Sequence, residues 1–159
     1  MRLNLESGSA LQTQKLGQAL GGIFQPGDVI ALVGELGAGK TELVKGIALG
    51  LGVDKRLPVA SPTYILLREY PGRLWLYHFD FYRLKSEIEL SGIGYEEYFE
   101  GEGVCAVEWA DKFPMIFGKS VLWVKLEIVD ESSRKIEVWT ESGEKWERRL
   151  EEAVKNIGR

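Results

Sequence analysis

The chain has 159 residues and a formal net charge of −4, and 45% of its residues are hydrophobic, including five Trp, six Tyr and six Phe, which is enough to build a core. A single Cys and a single His exclude an internal disulfide framework and a Cys/His zinc site. The acidic balance, without a basic run, argues against tight nonspecific binding to nucleic acid, which relies on clustered Lys and Arg. We predict one domain over residues 1–159.

Signals for membrane insertion or secretion are missing from this sequence. It contains no apolar run of transmembrane length, so we expect no contact with a membrane. The first ten residues lack the basic stretch and the apolar block of a secretory signal. Because the lone Cys also suits a reducing compartment, these features predict a cytoplasmic protein.

The first predicted elements are a helix, a strand and a second helix. Residues 9–23 carry apolar side chains at helical spacing, and Ser9 and Gln12 can form a capping box at the start of the helix. Residues 28–33, DVIALV, are a short apolar run that predicts one buried strand. A second amphipathic helix is predicted to begin at Lys40, directly after a glycine-rich loop.

Strands dominate the rest of the chain. Apolar or alternating runs bounded by turn residues predict five further strands, at residues 64–70, 74–80, 103–109, 121–129 and 134–140. Residues 85–101 are predicted to be helical in two pieces, broken at Gly92 and Gly94, and residues 143–158 to form a C-terminal helix. This mixture predicts an α/β domain with a mixed central sheet and a C-terminal antiparallel hairpin.

The glycine-rich loop carries the strongest functional motif. Gly34, Gly39, Lys40 and Thr41 have the spacing G-x-x-x-x-G-K-[ST]. Glycines let the backbone turn sharply and bring its N–H groups against a polyphosphate, while the lysine reaches the outer phosphates and the threonine hydroxyl binds Mg²⁺. A chance match among 19 glycines is the alternative, but the flanking strand and helix are the context that the motif requires. We predict a three-layer P-loop NTPase whose loop residues bind nucleotide: Gly34, Glu35, Leu36, Gly37, Ala38, Gly39, Lys40, Thr41 and Glu42.

Two acidic residues are candidates for a magnesium site beside this loop. Asp80 and Glu108 each end an apolar strand, which places their carboxylates at the sheet edge where ligands bind. The alternative for either residue is a solvated acid at a strand end. The guanine-recognition pattern Asn-Lys-x-Asp does not occur at either of the two asparagines, so ATP is favoured over GTP.

Five segments together are more specific than the loop alone. GELGAGKT, ASPTY, YHFDFYRL, GIGYEEYF and VEW, in this order and spacing, resemble the TsaE (YjeE) family over roughly residues 9–134. Members of that family are bacterial P-loop ATPases needed for threonylcarbamoyladenosine modification of tRNA. The departures are small, because Glu35 and Glu42 stand where Asp and Thr are common in the family.

The resemblance implies roles for individual residues. Lys40 and Thr41 would hold phosphate and Mg²⁺, Glu108 would be a Mg²⁺-site acid that also orients water, and Asp80 would play a Walker-B-like part. Thr63 would sense the γ-phosphate from a switch-like loop. The implied catalytic residues are therefore Lys40, Asp80, Glu108 and Thr63, and the implied metal ligands are Thr41, Asp80 and Glu108. The residues implied to border the nucleotide outside the loop are Ala10, Thr13, Trp109 and Arg134.

Some of these residues have an equally simple structural interpretation. Thr63 follows a proline and is also suited to a turn. His78, the only histidine, is either a hydrogen-bonded structural group or a catalytic one. Trp109 is either packed in a core or placed beside the nucleotide. Cys105 lies in the middle of a predicted strand and is interpreted as a small buried hydrophobe.

The expected activity is slow, Mg²⁺-dependent ATP hydrolysis. The sequence offers a lysine, a metal site and acids but no obvious arginine finger, which predicts weak activity alone and stimulation by a partner. The resemblance implies that the partners are TsaB and TsaD, which transfer the threonylcarbamoyl group, and that tRNA is reached only through that complex. Two alternatives remain open, namely a small-molecule kinase and an ATP-controlled docking module in which hydrolysis is incidental.

Overall fold

The computed structural model of the chain describes residues 1–62 and 65–157. Within these residues a seven-stranded sheet runs in the order β1-β7-β6-β2-β5-β4-β3. Its strands are β1 (Arg2–Ser7), β2 (Val29–Val33), β3 (Leu67–Tyr70), β4 (Leu76–Asp80), β5 (Val104–Glu108), β6 (Leu122–Ile128) and β7 (Arg134–Trp139). Neighbours among β6, β2, β5 and β4 pair in parallel. The other pairs are antiparallel, namely β3 with β4, β7 with β6 and β1 with β7. The predicted mixed sheet and C-terminal hairpin are confirmed.

Helical elements cover both faces of the central strands. The helices in the described residues are α1 (Ala10–Ile23), α2 (Lys40–Gly50), α3 (Glu87–Gly92), α4 (Tyr95–Phe99) and α5 (Glu147–Ile157). Side chains of α1, α2 and α5 pack in one core with the side chain of Ile30, and α3 and α4 pack in a second core with that of Ala31. Because both faces are covered, the strand VIALV is almost continuously buried, as in other parallel sheets. The three predicted layers are therefore present.

Helices α1 and α2 touch through their backbones. A Cβ atom added at Gly17 would lie 2.2 Å from the Leu43 carbonyl oxygen, and one added at Gly46 would lie 1.9 Å from that of Gln14. Gly21 and Gly50 continue the same seam one turn further along. Since α2 begins at the glycine-rich loop, this close contact fixes the loop relative to the rest of the domain.

The structure differs from the sequence-based expectation at two strands. The pattern does not predict β1, an edge strand that pairs with β7. A strand predicted over residues 64–70 begins only at Leu67, because Leu66 has a left-handed backbone with φ of +73°. No helix within residues 1–62 and 65–157 combines the length and the apolar character needed to cross a membrane.

Candidate functional site

The glycine-rich loop connects the end of β2 to the start of α2. Gly37 and Gly39 have φ values of +82° and +105°, a region that glycine occupies without the steric cost of a side chain. A Cβ atom at Gly34 would lie 2.7 Å from the carbonyl oxygen of Leu126 on β6. Backbone conformation thus requires glycine at positions 37 and 39, and a close approach requires it at position 34.

A cleft of about 410 Å³ opens beside this loop at the carboxyl ends of the parallel strands. It is lined by loop residues 36–42 together with Ser61, Asp80, Tyr82, Glu108 and Trp109. Gly34 and Glu35 border a neighbouring cleft of about 670 Å³, which shares Leu36 and Trp109 with the first. The structure therefore brings together most of the sequence-predicted site residues and adds Ser61 and Tyr82, which the sequence pattern does not single out.

The Lys40 side chain is drawn back onto its own loop. Its Nζ atom donates hydrogen bonds to the carbonyl oxygens of Gly34 and Glu35, the latter at 3.0 Å, and lies 4.0 Å from the centroid of the Trp109 ring. Burial lowers the pKa of Lys40, against the opposing effect of nearby carboxylates, chiefly that of Glu108. Lys40 is the one cation among the described residues that line the cleft.

Glu108 ends β5 with only 3% of its surface exposed. Its carboxylate accepts a hydrogen bond from the Thr41 hydroxyl, with both oxygens 3.1 Å from Oγ1. On the other side one of these oxygens lies 2.5 Å from Nε2 of the fully buried His78. The carboxylate is therefore held between the first turn of α2 and strand β4.

Asp80 lies directly beside Glu108 across the β4–β5 pair and is 1% exposed. Its two oxygens accept hydrogen bonds from the Ser61 hydroxyl at 2.7 Å and from the Tyr82 backbone N–H at 2.9 Å. Neither acid is a solvated residue at a strand end, so that alternative is wrong. The two carboxylates are buried side by side at the floor of the cleft.

Trp109 forms one wall of the cleft and follows Glu108 with a left-handed backbone, φ of +59°. Its ring contacts that of Tyr82, with 4.9 Å between the centroids, and covers the Lys40 ammonium. Trp109 is half-buried and packs against the core that contains Ala31, whereas its place beside a nucleotide stays a prediction. Next to this pair of rings, Lys112 donates a hydrogen bond to the Tyr82 carbonyl oxygen at 2.6 Å.

A small recess of about 120 Å³ lies on the other side of the loop. Ala10, Thr13 and Arg134, three of the residues implied to border the nucleotide outside the loop, all line it. The Arg134 guanidinium donates to the Ala38 and Gly37 carbonyl oxygens at 3.0 and 3.2 Å, so this arginine also supports the loop from behind. Thr13 is buried, and its hydroxyl lies 2.7 Å from that of Ser7.

Two further expectations concern Thr63 and Cys105. Thr63 lies outside the described residues, and its role stays a prediction. Cys105 is fully buried in β5, and burial raises the pKa of its thiol to about 12, as expected for a small core residue. Among residues 1–62 and 65–157, no three His, Cys, Asp or Glu side chains cluster closely enough to hold a metal ion.

Comparisons with known proteins, by sequence and by structure, agree with one another. A family model described as threonylcarbamoyl adenosine biosynthesis protein TsaE matches residues 7–136. A tRNA threonylcarbamoyladenosine biosynthesis protein TsaE from Treponema pallidum is 40% identical, over 83% of this chain and 96% of the relative. One from Bacillus subtilis is 39% identical, over 89% of this chain and 87% of the relative. The crystal structure of Bacillus subtilis YdiB matches with a TM-score of 0.82 and 31% identity, covering 98% of this chain and 95% of that one.

Proposed function

This chain belongs to the TsaE family, and we propose that it is a Mg²⁺-dependent ATPase that serves threonylcarbamoyladenosine modification of tRNA. One observation carries the proposal. Lys40, Thr41 and the buried carboxylates of Asp80 and Glu108 meet in a single cleft between a glycine-rich loop and the carboxyl ends of parallel strands. A cation, a hydroxyl and two carboxylates beside a glycine-rich loop are groups that phosphoryl transfer to water uses.

The loop suits a polyphosphate. Its left-handed glycines, Gly37 and Gly39, leave the approach to the backbone free of side chains, and α2 directs its N-terminus at the same place. Bound phosphate oxygens would replace the carbonyl oxygens of Gly34 and Glu35 as partners of the Lys40 ammonium. That exchange would pair a cation with an anion, which is the stronger interaction.

The oxygen donors suit Mg²⁺. Two oxygens bound to adjacent positions of an octahedral Mg²⁺, each at about 2.1 Å, lie about 3 Å apart. The Thr41 hydroxyl and the Glu108 carboxylate are 3.1 Å apart, and Asp80 lies beside them. A magnesium ion is usually bound through one or two carboxylates and completes its shell with waters and phosphates, whose negative charge it offsets. Thr41, Glu108 and Asp80 would hold it here.

The carboxylates also suit the activation of water. Glu108 faces the cleft beside Thr41, so that it can orient an attacking water once nucleotide is bound. Lys40 is the only cation among the described residues that line the cleft, so this lining offers no second positive charge to stabilise the transferring phosphoryl group. We therefore expect slow hydrolysis alone and faster hydrolysis with a partner that supplies positive charge or closes the cleft.

We propose TsaB and TsaD as that partner, with ATP as the nucleotide. The net charge of −4 favours contact with tRNA through the complex and not through this chain by itself. In this scheme the chain supports the transferring machine and does not move the threonylcarbamoyl group.

The direct test is ATP hydrolysis with Mg²⁺, measured for the protein alone and with the TsaB–TsaD pair. A low basal rate that rises with the pair, falls when GTP replaces ATP and is abolished in Lys40→Ala supports the proposal. ATP binding without stimulation would overturn partner-gated hydrolysis and leave the docking module. A phosphorylated small-molecule acceptor would instead identify a kinase.

A further inference from the structure

His78 is buried in the floor of the candidate site without lining the cleft itself. It stands two residues before Asp80 on β4 and has no exposed surface. Its Nε2 atom lies 2.5 Å from Oε2 of Glu108. Since a carboxylate oxygen accepts, Nε2 is the donor, and Oε2 lies within hydrogen-bond distance of both His78 and the Thr41 hydroxyl.

The other ring nitrogen, Nδ1, gives no evidence of a structural role for the histidine. Within the described residues, Nδ1 is buried and has no hydrogen-bond partner. A buried polar atom that makes no hydrogen bond opposes folding, and a purely apolar side chain at this position would avoid that cost. The fold therefore gains little from a histidine in this place. The one hydrogen bond that its ring makes with the described residues is to Glu108, which indicates a role at that carboxylate.

We propose that His78 is a positioning residue, which fixes the Glu108 carboxylate in the orientation that faces Thr41 and the metal. The inference rests on the proposed function, because it assigns His78 to the magnesium site of that same ATPase. Glu side chains have several rotatable bonds, and a carboxylate held from one side only is free to turn away from the cleft. Here two groups from different elements hold it, the Thr41 hydroxyl on α2 and the His78 imidazole on β4.

The same arrangement is common around bound metals. Groups that hydrogen-bond a ligating side chain orient that ligand, and their loss typically lowers metal affinity or activity by about 10- to 100-fold. His78 acts on the site only through Glu108. Its removal should therefore weaken metal binding and slow the chemical step, while the loop contacts to nucleotide stay in place.

The length of the side chain at position 78 provides the test, because Gln and Asn carry the same amide donor at different distances from the backbone. In His78→Gln the side-chain NH₂ lies close to the position of the imidazole Nε2, whereas in His78→Asn it stops near Nδ1 and falls short of Glu108. His78→Leu removes the donor and fills the space with an apolar group. Each variant is compared with wild type in its melting temperature, to confirm folding, and in its Mn²⁺ affinity in complex with a non-hydrolysable ATP analogue.

We expect His78→Asn and His78→Leu to weaken Mn²⁺ binding about 10- to 100-fold, and His78→Gln to stay within about threefold of wild type. In ATP hydrolysis the first two should lower kcat with little change in KM. Mn²⁺ affinity at the wild-type level in all three variants would overturn the inference. An equal loss of affinity in all three would also overturn it, because it would indicate a structural role. If wild type itself binds no metal with nucleotide, the proposed function fails, and this inference fails with it.

Discussion

The Lys40 ammonium lies 4.0 Å from the centroid of the Trp109 ring, and that tryptophan has a left-handed backbone. Such a conformation costs a non-glycine residue about 1–3 kcal/mol, so the surrounding contacts must hold the ring over the lysine. The Tyr82 ring is one of these contacts, with 4.9 Å between the ring centroids. Because the same ammonium is the proposed partner of phosphate, binding of nucleotide and the environment of Trp109 are coupled through one atom.

Trp109 should therefore report nucleotide binding through its fluorescence. Bound phosphate is expected to draw the Lys40 ammonium away from the indole ring and so to change the emission of that tryptophan. We expect ATP with Mg²⁺ to give a saturable change in wild type that disappears in Trp109→Phe, although four other tryptophans remain. Trp75→Phe, at a half-exposed position that does not line the cleft, is the matched control and should keep the signal. A full signal in Trp109→Phe would place the reporter elsewhere.

ATP binding should also depend on pH through Lys40. Burial lowers the pKa of this lysine from the ordinary value of 10.5, so in the free protein its charge is lost at a lower pH than usual. Bound phosphate favours the charged form, and binding at alkaline pH should therefore take up a proton. Calorimetry in buffers of different ionisation enthalpy measures that uptake. We expect it to grow as the pH rises towards 10.5 and to be missing from Lys40→Ala, and an uptake that survives in this variant would exclude Lys40 as its source.

Glu108→Gln should separate hydrolysis from nucleotide binding. The amide preserves the size of the side chain but removes the charge that the proposed water and metal contacts use. We expect ATP binding to persist and kcat with TsaB and TsaD to fall about 100-fold or more. Glu151→Gln, on the exposed face of α5, changes the same charge away from the cleft and should match wild type. Support of tRNA modification by Glu108→Gln at the wild-type level would favour the docking module.

The sequence predicts the loop, the central strands and both cleft acids, because each depends on a local pattern. The G-x-x-x-x-G-K-[ST] spacing is local, and Asp80 and Glu108 stand out because each follows an apolar run. The contact of His78 with Glu108 joins residues on neighbouring strands, and its register is fixed only when β4 and β5 pair. No spacing in the chain encodes that pairing.

Strand β1 is missed for a related reason. Its alternation rests on Leu3 and Leu5 alone, and both are only half-buried because the strand lies at the sheet edge. Ser61 and Tyr82 likewise give no local signal, since they enter the site through hydrogen bonds to Asp80. Edge strands and supporting polar contacts depend on tertiary packing more than on periodicity.

Cys105 should resist modification until the protein unfolds. The thiol is fully buried in β5, and burial raises its pKa to about 12, so almost none of it is thiolate at pH 8. We expect a thiol reagent to label the native protein slowly, at a rate set by opening of the sheet, and to label one equivalent rapidly in denaturant. Fast labelling without denaturant would contradict the burial of this strand.

The close contact between α1 and α2 should make Gly46 intolerant of even one methyl group. A Cβ atom there would lie 1.9 Å from the backbone oxygen of Gln14, which cannot rotate away as a side chain would. The helices must separate, and we expect Gly46→Ala to lower the free energy of unfolding by about 3 kcal/mol or more, at the upper end of overpacking costs. Gly22→Ala is the matched control, because a Cβ atom on that exposed α1 residue meets nothing within 4 Å. It should raise the free energy of unfolding by about 0.5–1 kcal/mol, since alanine favours helix. Urea denaturation of both variants measures the difference, and equal midpoints would show that the two helices are not held at this distance.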